Sequence, residues 1–197
     1  MRILVVFCHP SPESFGAALF NAAQETLTAH GHDLRVIDLY RAGFDPVLAP
    51  AEWDNYLNDT ERVIENIPEH VDALLWAESL LLIFPTWMYG PPALLKGWFE
   101  RVLLPGVAFD ISENRNRRIV GRLDNIRSFT VITTSGSPWW WLRLIRDPGR
   151  SMLTRGIRVL FHRRCRVRWL QLHDMNHQDD AGRRKFLARV RAALAKL

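Results

Sequence analysis

Ser79-Leu80-Leu81-Leu82-Ile83-Phe84-Pro85-Thr86-Trp87-Met88-Tyr89-Gly90-Pro91-Pro92-Ala93-Leu94-Leu95-Lys96-Gly97-Trp98 decides how the chain reads. An unbroken apolar run, residues 79–84, has the length and composition of a buried strand. It empties into a loop of Pro, Gly and aromatic residues, and the loop feeds an amphipathic helix. In an open parallel sheet, ligands bind outside the carboxyl ends of the strands, so this loop is placed to touch one. Trp87, Met88 and Tyr89 offer flat, polarizable surface suited to a planar ring system.

Outward from that segment the same alternation repeats. Residues 3–8 read as a fully buried strand. Residues 15–30 read as a helix, with Phe15, Leu19, Ala23 and Leu27 at helical spacing and Gly31 as its C-terminal cap. Residues 34–39 alternate apolar and charged side chains as a second strand. Residues 43–49 form a Pro-containing loop, and residues 51–67 are acidic and amphipathic, one or two helical pieces that stop before Pro68. A helix over 70–78 leads to the strand at 80–84, and a helix over 92–103 follows, with Pro91-Pro92 at its start. Residues 105–123 read as irregular, with a basic cluster at Arg115, Arg117 and Arg118. Further strands are predicted at 128–133 and 167–172, a loop at 134–141, and a helix over 150–161. A last helix, capped by Asp179 or Asp180, runs to Leu197. No repeat, low-complexity tract or linker interrupts the pattern, so residues 1–197 read as a single domain. Strands alternating with helices predict an α/β fold: an open parallel five-stranded sheet in the flavodoxin-like order 2-1-3-4-5, with helices on both faces.

The 197 residues are 48% hydrophobic, an ordinary globular share, and no apolar run reaches the roughly 20 residues of a membrane span. The opening Met1-Arg2-Ile3-Leu4-Val5-Val6-Phe7 lacks the sustained apolar core and small-residue cleavage site of a signal peptide and reads as the first strand. Cys8 and Cys165 are the only cysteines, too few for a disulfide framework, which points to a reducing cytoplasm. Charge is uneven. Residues 1–110 carry six Lys/Arg against fifteen Asp/Glu, and residues 111–197 carry twenty against six. The basic half could attract phosphates, nucleic acid, an acidic protein partner or the acidic half of a second copy, or it could be a solvated surface. No reading motif for nucleic acid accompanies it, so that class ranks last.

Two more strand ends carry chemistry. After the first strand comes Cys8-His9-Pro10-Ser11-Pro12-Glu13-Ser14-Phe15-Gly16. Ser14 can cap the first helix and leave free backbone N–H groups at its start, an anion site reinforced by the helix dipole. Gly16 and Ala17 add little bulk, and His9 could supply a hydrogen bond or a positive charge; the bland alternative is a capped helix beside a surface histidine. After the fourth main strand comes Thr133-Thr134-Ser135-Gly136-Ser137-Pro138-Trp139-Trp140-Trp141. Its small hydroxyl residues can bond the polar edge of a ring, and Gly136 lets backbone come close. At least one of the three tryptophans is expected in a pocket, over a neighbour or in a subunit interface. The pairs His30/His32 and His173/His177, the latter beside Asp174, are poorly spaced for a metal. Neither Gly-x-Gly-x-x-Gly, nor a nucleotide-triphosphate loop, nor a Gly-x-Ser-x-Gly elbow occurs. One loop for phosphate, one aromatic and one with small hydroxyls together specify a phosphorylated planar ligand, with a flavin as first candidate.

With these motifs the chain resembles the flavodoxin-like NAD(P)H:quinone oxidoreductases, a family that includes bacterial modulators of drug activity and the ancillary flavoproteins of potassium efflux systems. The resemblance covers most of the chain. It is strongest in His9-Pro10 through Phe15, in Phe84-Pro85 through Phe99-Glu100-Arg101-Val102, and in Pro105-Gly106-Val107-Ala108-Phe109. It implies FMN or FAD as cofactor and NAD(P)H as electron donor. By that analogy His9, Ser14, Phe15, Gly16 and Ala17 hold the phosphate arm; Pro85, Thr86, Trp87, Met88 and Tyr89 border the isoalloxazine; and Thr134, Ser135 and Gly136 meet its edge. The sequence departs from the family at Ser135, where a glycine is usual, at Trp87, where a glutamine is usual, and at Cys165-Arg166, where Cys-Gly is usual. A hydride would pass from NAD(P)H through the flavin to a quinone or similar small acceptor, with the protein supplying orientation and electrostatics. Tyr89, Trp139 or His162 could shape the acceptor pocket, and no side chain is assigned as catalytic. A homodimer is expected. The competing reading is a flavin-binding regulatory subunit of a membrane transporter or other protein, bound through the basic C-terminal half.

Overall fold

A computed structural model describes residues 1–111 and 119–197. Five strands form one parallel sheet: β1 (Arg2–Phe7), β2 (Asp33–Asp38), β3 (Ser79–Pro85), β6 (Ser128–Thr134) and β7 (Arg166–Leu172), in the order β2-β1-β3-β6-β7. Counting only these five, the order is the predicted 2-1-3-4-5. All seven residues of β3 are buried, as its apolar run required, whereas the edge strand β2 is half exposed, as its alternation required. Ile3 pairs with Leu34 on one side and Ser79 on the other, and Ser79 with Ser128, so the carboxyl ends of β1, β3 and β6 emerge together.

Side-chain alternation along each strand divides the core into two layers. Ile3, Val5, Leu81 and Ile83 face α1 (Phe15–Ala29) and α8 (Asp180–Leu194). Leu4, Val6, Leu80 and Leu82 face the layer that holds α4 (Pro68–Trp76) and α5 (Ala93–Val102). The acidic stretch forms two short pieces, α2 (Pro50–Asn55) and α3 (Thr60–Ile64). Glu52 of α2 and Arg101 of α5 are both buried and form a two-pronged ion pair, with a third bond from Arg101 Nη1 to the Asp45 carbonyl at 2.7 Å. That pair pins the helix that leaves the aromatic loop. Gly97 of α5 lies so close to the 44–49 loop that a Cβ there would stand 2.2 Å from the Pro46 carbonyl oxygen.

Three expectations need correcting. Residues 105–123 are not wholly irregular: β4 (Phe109–Ile111) pairs antiparallel with β5 (Ile119–Gly121). Ile111, Ile119 and Val120 are exposed, so no buried face marked these strands in the sequence. The basic cluster Arg115, Arg117 and Arg118 lies outside the described residues. The tryptophan run is not a loop, because Trp139–Leu144 form α6 behind Pro138, with only Leu142 buried. The helix predicted over 150–161 changes character along its length: α7 (Pro148–Ser151) passes into a π turn (Met152–Gly156) and then a 3-10 turn (Ile157–Leu160). Among the described residues no helix is long and apolar enough to cross a membrane.

Candidate functional site

The turn after β1 is organised by its own residues. Ser14 is extended, and its hydroxyl accepts the Ala17 N–H at 3.1 Å and donates to the Ser11 carbonyl at 2.9 Å. Ala17 therefore spends its N–H on the cap. Phe15 and Gly16 head a 15-residue helix, and their N–H groups have no carbonyl one turn back. The ring of Phe15 packs inward at 6.4 Å from Phe186, so Phe15 faces the site only through backbone. His9 Nδ1 meets both the Ser11 N–H at 3.0 Å and the Ser11 carbonyl at 3.2 Å, which holds the imidazole in place over the turn. Burial holds the His9 pKa below the usual 6.5, so His9 offers a hydrogen bond rather than a charge at neutral pH. A Cβ on Gly16 would sit 3.3 Å from His9 Cδ2, filling the space between helix start and imidazole.

The turn after β3 is built differently. Trp87 and Gly90 exchange both backbone hydrogen bonds, at 2.9 and 3.0 Å. Between them Met88 and Tyr89 take φ values of 45° and 63°. Positive φ at both central positions is the pattern of a type I′ turn, which favours Asn-Gly. Two bulky side chains here are strained, and such strain gathers at ligand-facing positions. Contacts from elsewhere hold the turn: Trp141 Nε1 donates to Tyr89 Oη at 3.1 Å, and Gly149 packs so closely that a Cβ would meet the Tyr89 carbonyl oxygen at 2.8 Å. Met88 is 93% exposed at the tip, with Trp87 and Tyr89 partly exposed behind it.

The third loop is tied to both neighbours. Thr86 N–H donates to the Thr134 carbonyl at 2.7 Å, and the Thr86 and Thr133 hydroxyls share a bond at 2.9 Å. Ser135 is buried, and its hydroxyl bonds the Ser137 carbonyl at 3.2 Å and approaches His173 Nδ1 at 3.4 Å. The hydroxyl expected at a ring edge thus points inward, and the Ser135 N–H is already donated to the Leu172 carbonyl at 2.9 Å, which leaves the Gly136 backbone to meet a ring edge. Gly136 remains exposed, with space for a Cβ limited only by Asn176 at 3.4 Å.

The thirteen candidates therefore lie on three neighbouring strand ends. The His9 and Trp87 rings are 6.4 Å apart, joining the first loop to the second, and Thr86 joins the second to the third. Pro85 is buried as the last residue of β3 and shapes the loop from below. His9 and Ala17 also line a cavity of about 360 Å³ shared with Asp38, Tyr40 and Arg41 at the end of β2. His173, Asp174 and Met175 support the third loop from beyond β7, the last two by donating their N–H groups to the Ser137 and Ser135 carbonyls at 3.1 and 2.9 Å, and such distant partners leave no local trace in sequence. Trp139 points into a different cavity, described below, and within the chain His162 stands at the opposite end of the sheet, its N–H bonded to the Ile126 carbonyl ahead of β6. His177 bonds Asp174 at 2.7 Å, and no group of three or more ligating side chains able to hold a metal occurs among the described residues. Cys8 and Cys165 are free and buried, and burial pushes their thiols up to about 12 and about 11.

Phe15 and Gly16 N–H groups, the His9 imidazole beside them and the Gly16 gap match a phosphate. The Trp87–Tyr89 turn and the Gly136 backbone match a planar ring with one polar edge. The donor set therefore fits a flavin mononucleotide.

Comparison with known proteins agrees with this architecture. A family model described as a flavodoxin-like fold matches residues 1–196. An uncharacterized NAD(P)H oxidoreductase of Haemophilus influenzae is 35% identical over 134 residues, 68% of this chain and 64% of the relative. The chain spans less than two thirds of the length of that and similar curated relatives. The crystal structure of Smu.1420 from Streptococcus mutans superposes with a TM-score of 0.86 at 28% identity, covering both chains completely. An NAD(P)H:quinone oxidoreductase from Methanothermobacter marburgensis superposes at 0.80 with 29% identity, over 100% of this chain and 96% of the other. With the sheet order, the strand-end loops and a family match along nearly its whole length, the chain belongs to the flavodoxin-like fold family.

Proposed function

We propose that the protein is an NAD(P)H oxidoreductase that uses FMN to reduce a quinone or similar small acceptor, working as one flavin-binding domain in the cytoplasm. The observation that carries this reading is the junction of three unlike strand ends, through His9 with Trp87 and through Thr86 with Thr133 and Thr134. Relatives named as NAD(P)H oxidoreductases and quinone reductases support the reaction class. FMN, when bound, supplies the hydride relay between nicotinamide and acceptor.

The chain's own residues would do the rest. Phe15 and Gly16 N–H groups and the dipole of α1 bind the phosphate, and the His9 imidazole adds a hydrogen bond. Trp87, Met88 and Tyr89 flank the ring and exclude water from one side. The exposed Gly136 backbone faces the polar edge, where fixed dipoles stabilise developing negative charge without reorganising. The exposed side chains of Met88, Trp140 and Leu144 suit coverage by a second copy of the chain, completing the acceptor pocket. Anaerobic mixing with NADH or NADPH tests the reading. The visible flavin absorbance of the FMN-loaded protein should bleach and return when a quinone is added. A flavin that stays oxidised with both donors would overturn the redox assignment.

A further inference from the structure

The redox reading leaves most of the basic half without a task, and its arginines are not evenly spread. Arg143, Arg146, Arg150, Arg155 and Arg189 line one cavity of about 670 Å³, bounded by α6, α7, the π turn, the edge strand β7 and α8. None of the thirteen proposed cofactor residues lines it. Asp147 is the one acidic side chain in the lining, and its carboxylate already accepts the Arg150 N–H at 3.1 Å. Among the described residues none of the five arginines forms a salt bridge. Guanidiniums gathered around one cavity repel one another unless an anion joins them.

A second observation points into the same cavity. Gln171 lines it and is only 8% exposed. Its Oε1 accepts the Trp169 indole N–H at 2.7 Å, which fixes the other end of the amide as nitrogen. That Nε2 is buried and has no hydrogen-bond partner among the described residues. An unpaired buried donor is costly, and here an acceptor brought by a ligand would satisfy it. The Trp169 ring lies under the Arg150 guanidinium at 5.7 Å, and Trp139 stands exposed among the lining residues.

We propose that this cavity is a binding site for a multiply charged phosphate, a diphosphate or longer, separate from the flavin site. Arginine forks match phosphate oxygens two at a time, and five of them exceed what a single phosphate can engage. Gln171 supplies a neutral donor, and the volume suits a free diphosphate or a nucleotide.

The test is calorimetry on the full chain in excess FMN, with inorganic pyrophosphate, orthophosphate and ADP as probes. Pyrophosphate should bind at least about tenfold more tightly than orthophosphate and weaken as salt rises. The double variant Arg143→Ala/Arg146→Ala should weaken it by roughly tenfold or more. Gln171→Glu keeps the Trp169 acceptor but puts a carboxylate at the orphaned nitrogen, and it should weaken binding as much. Both variants should keep the wild-type circular dichroism spectrum and FMN affinity. ADP binding more tightly than pyrophosphate would assign a nucleotide with its base on Trp139, and equal binding would assign the free anion. Three outcomes overturn the proposal: no pyrophosphate binding at millimolar concentration, binding indifferent to both variants, or binding lost in Gly16→Val but kept in the arginine variant. The last would assign the anion to the β1 turn. Because the readout is pyrophosphate heat and not redox activity, failure here and failure of the redox reading are separate results.

Discussion

The turns after β1 and β3 flank the same region by opposite means. The β1 turn is closed by its own eight or so residues: Ser14 caps, Ser11 anchors His9, and every side-chain bond spans three positions or fewer. The β3 turn holds Met88 and Tyr89 in left-handed conformations that neither residue favours, and its supports come from Trp141 and Gly149, over fifty residues away. A phosphate needs a few fixed N–H groups, which local sequence can provide. A planar ring needs broad apolar surface exposed at a turn, and that arrangement has to be imposed by tertiary contact.

This contrast can be broken at either turn. Gly149→Ala drives a Cβ into the Tyr89 carbonyl and should cost about 1–3 kcal/mol by overpacking. In denaturant melts the loss should appear together with weaker binding of the flavin ring and unchanged binding of inorganic phosphate. Ser14→Ala should cost about 1 kcal/mol, the usual worth of a helix cap, and should weaken phosphate affinity while leaving the aromatic turn intact. Met88→Asn with Tyr89→Gly installs the preferred type I′ residues and should stabilise the fold by about 1 kcal/mol, because left-handed bulky residues are strained. The same change should loosen FMN, which would show that the strain serves binding; unchanged FMN affinity would argue that the turn is idle.

The smallest effect sets the β1 turn apart from the core by pH. Burial is the largest cause lowering the pKa values of His9, His70 and His173 below 6.5. Each binds fewer protons folded than unfolded, so its contribution is complete above 6.5 and is lost as pH falls through the lowered values. His70 should follow this course with or without ligand, since its Nδ1 accepts the Trp98 indole at 3.1 Å and protonation breaks that bond. His9 alone should titrate higher once a phosphate occupies the β1 turn, which proton NMR of the histidine rings would read.

What could be read from the sequence follows the same division. Ser14 as cap, the fully buried β3 and the strand order all rest on local composition or period, and all of them appear in the structure. The features that were illegible depend on partners distant in sequence. Phe15 and Ser135 stand at the strand ends expected from the sequence, but their side chains turn inward toward Phe186 and Ser137. The Trp139–Trp141 run has no period to betray a helix, and the β4–β5 hairpin has no buried face. Five arginines around one cavity read in sequence only as net charge, because Arg189 reaches them from α8.

The most direct measurement of the central claim is a titration of the apoprotein with FMN, followed by quenching of flavin fluorescence, for the wild type and for Gly16→Val. The wild type should bind at micromolar concentration or tighter, and binding should be lost when a branched side chain fills the gap beside His9. Wild-type protein that leaves FMN fluorescence unchanged through millimolar concentrations, or a Gly16→Val variant that binds as well as its parent, would contradict the claim.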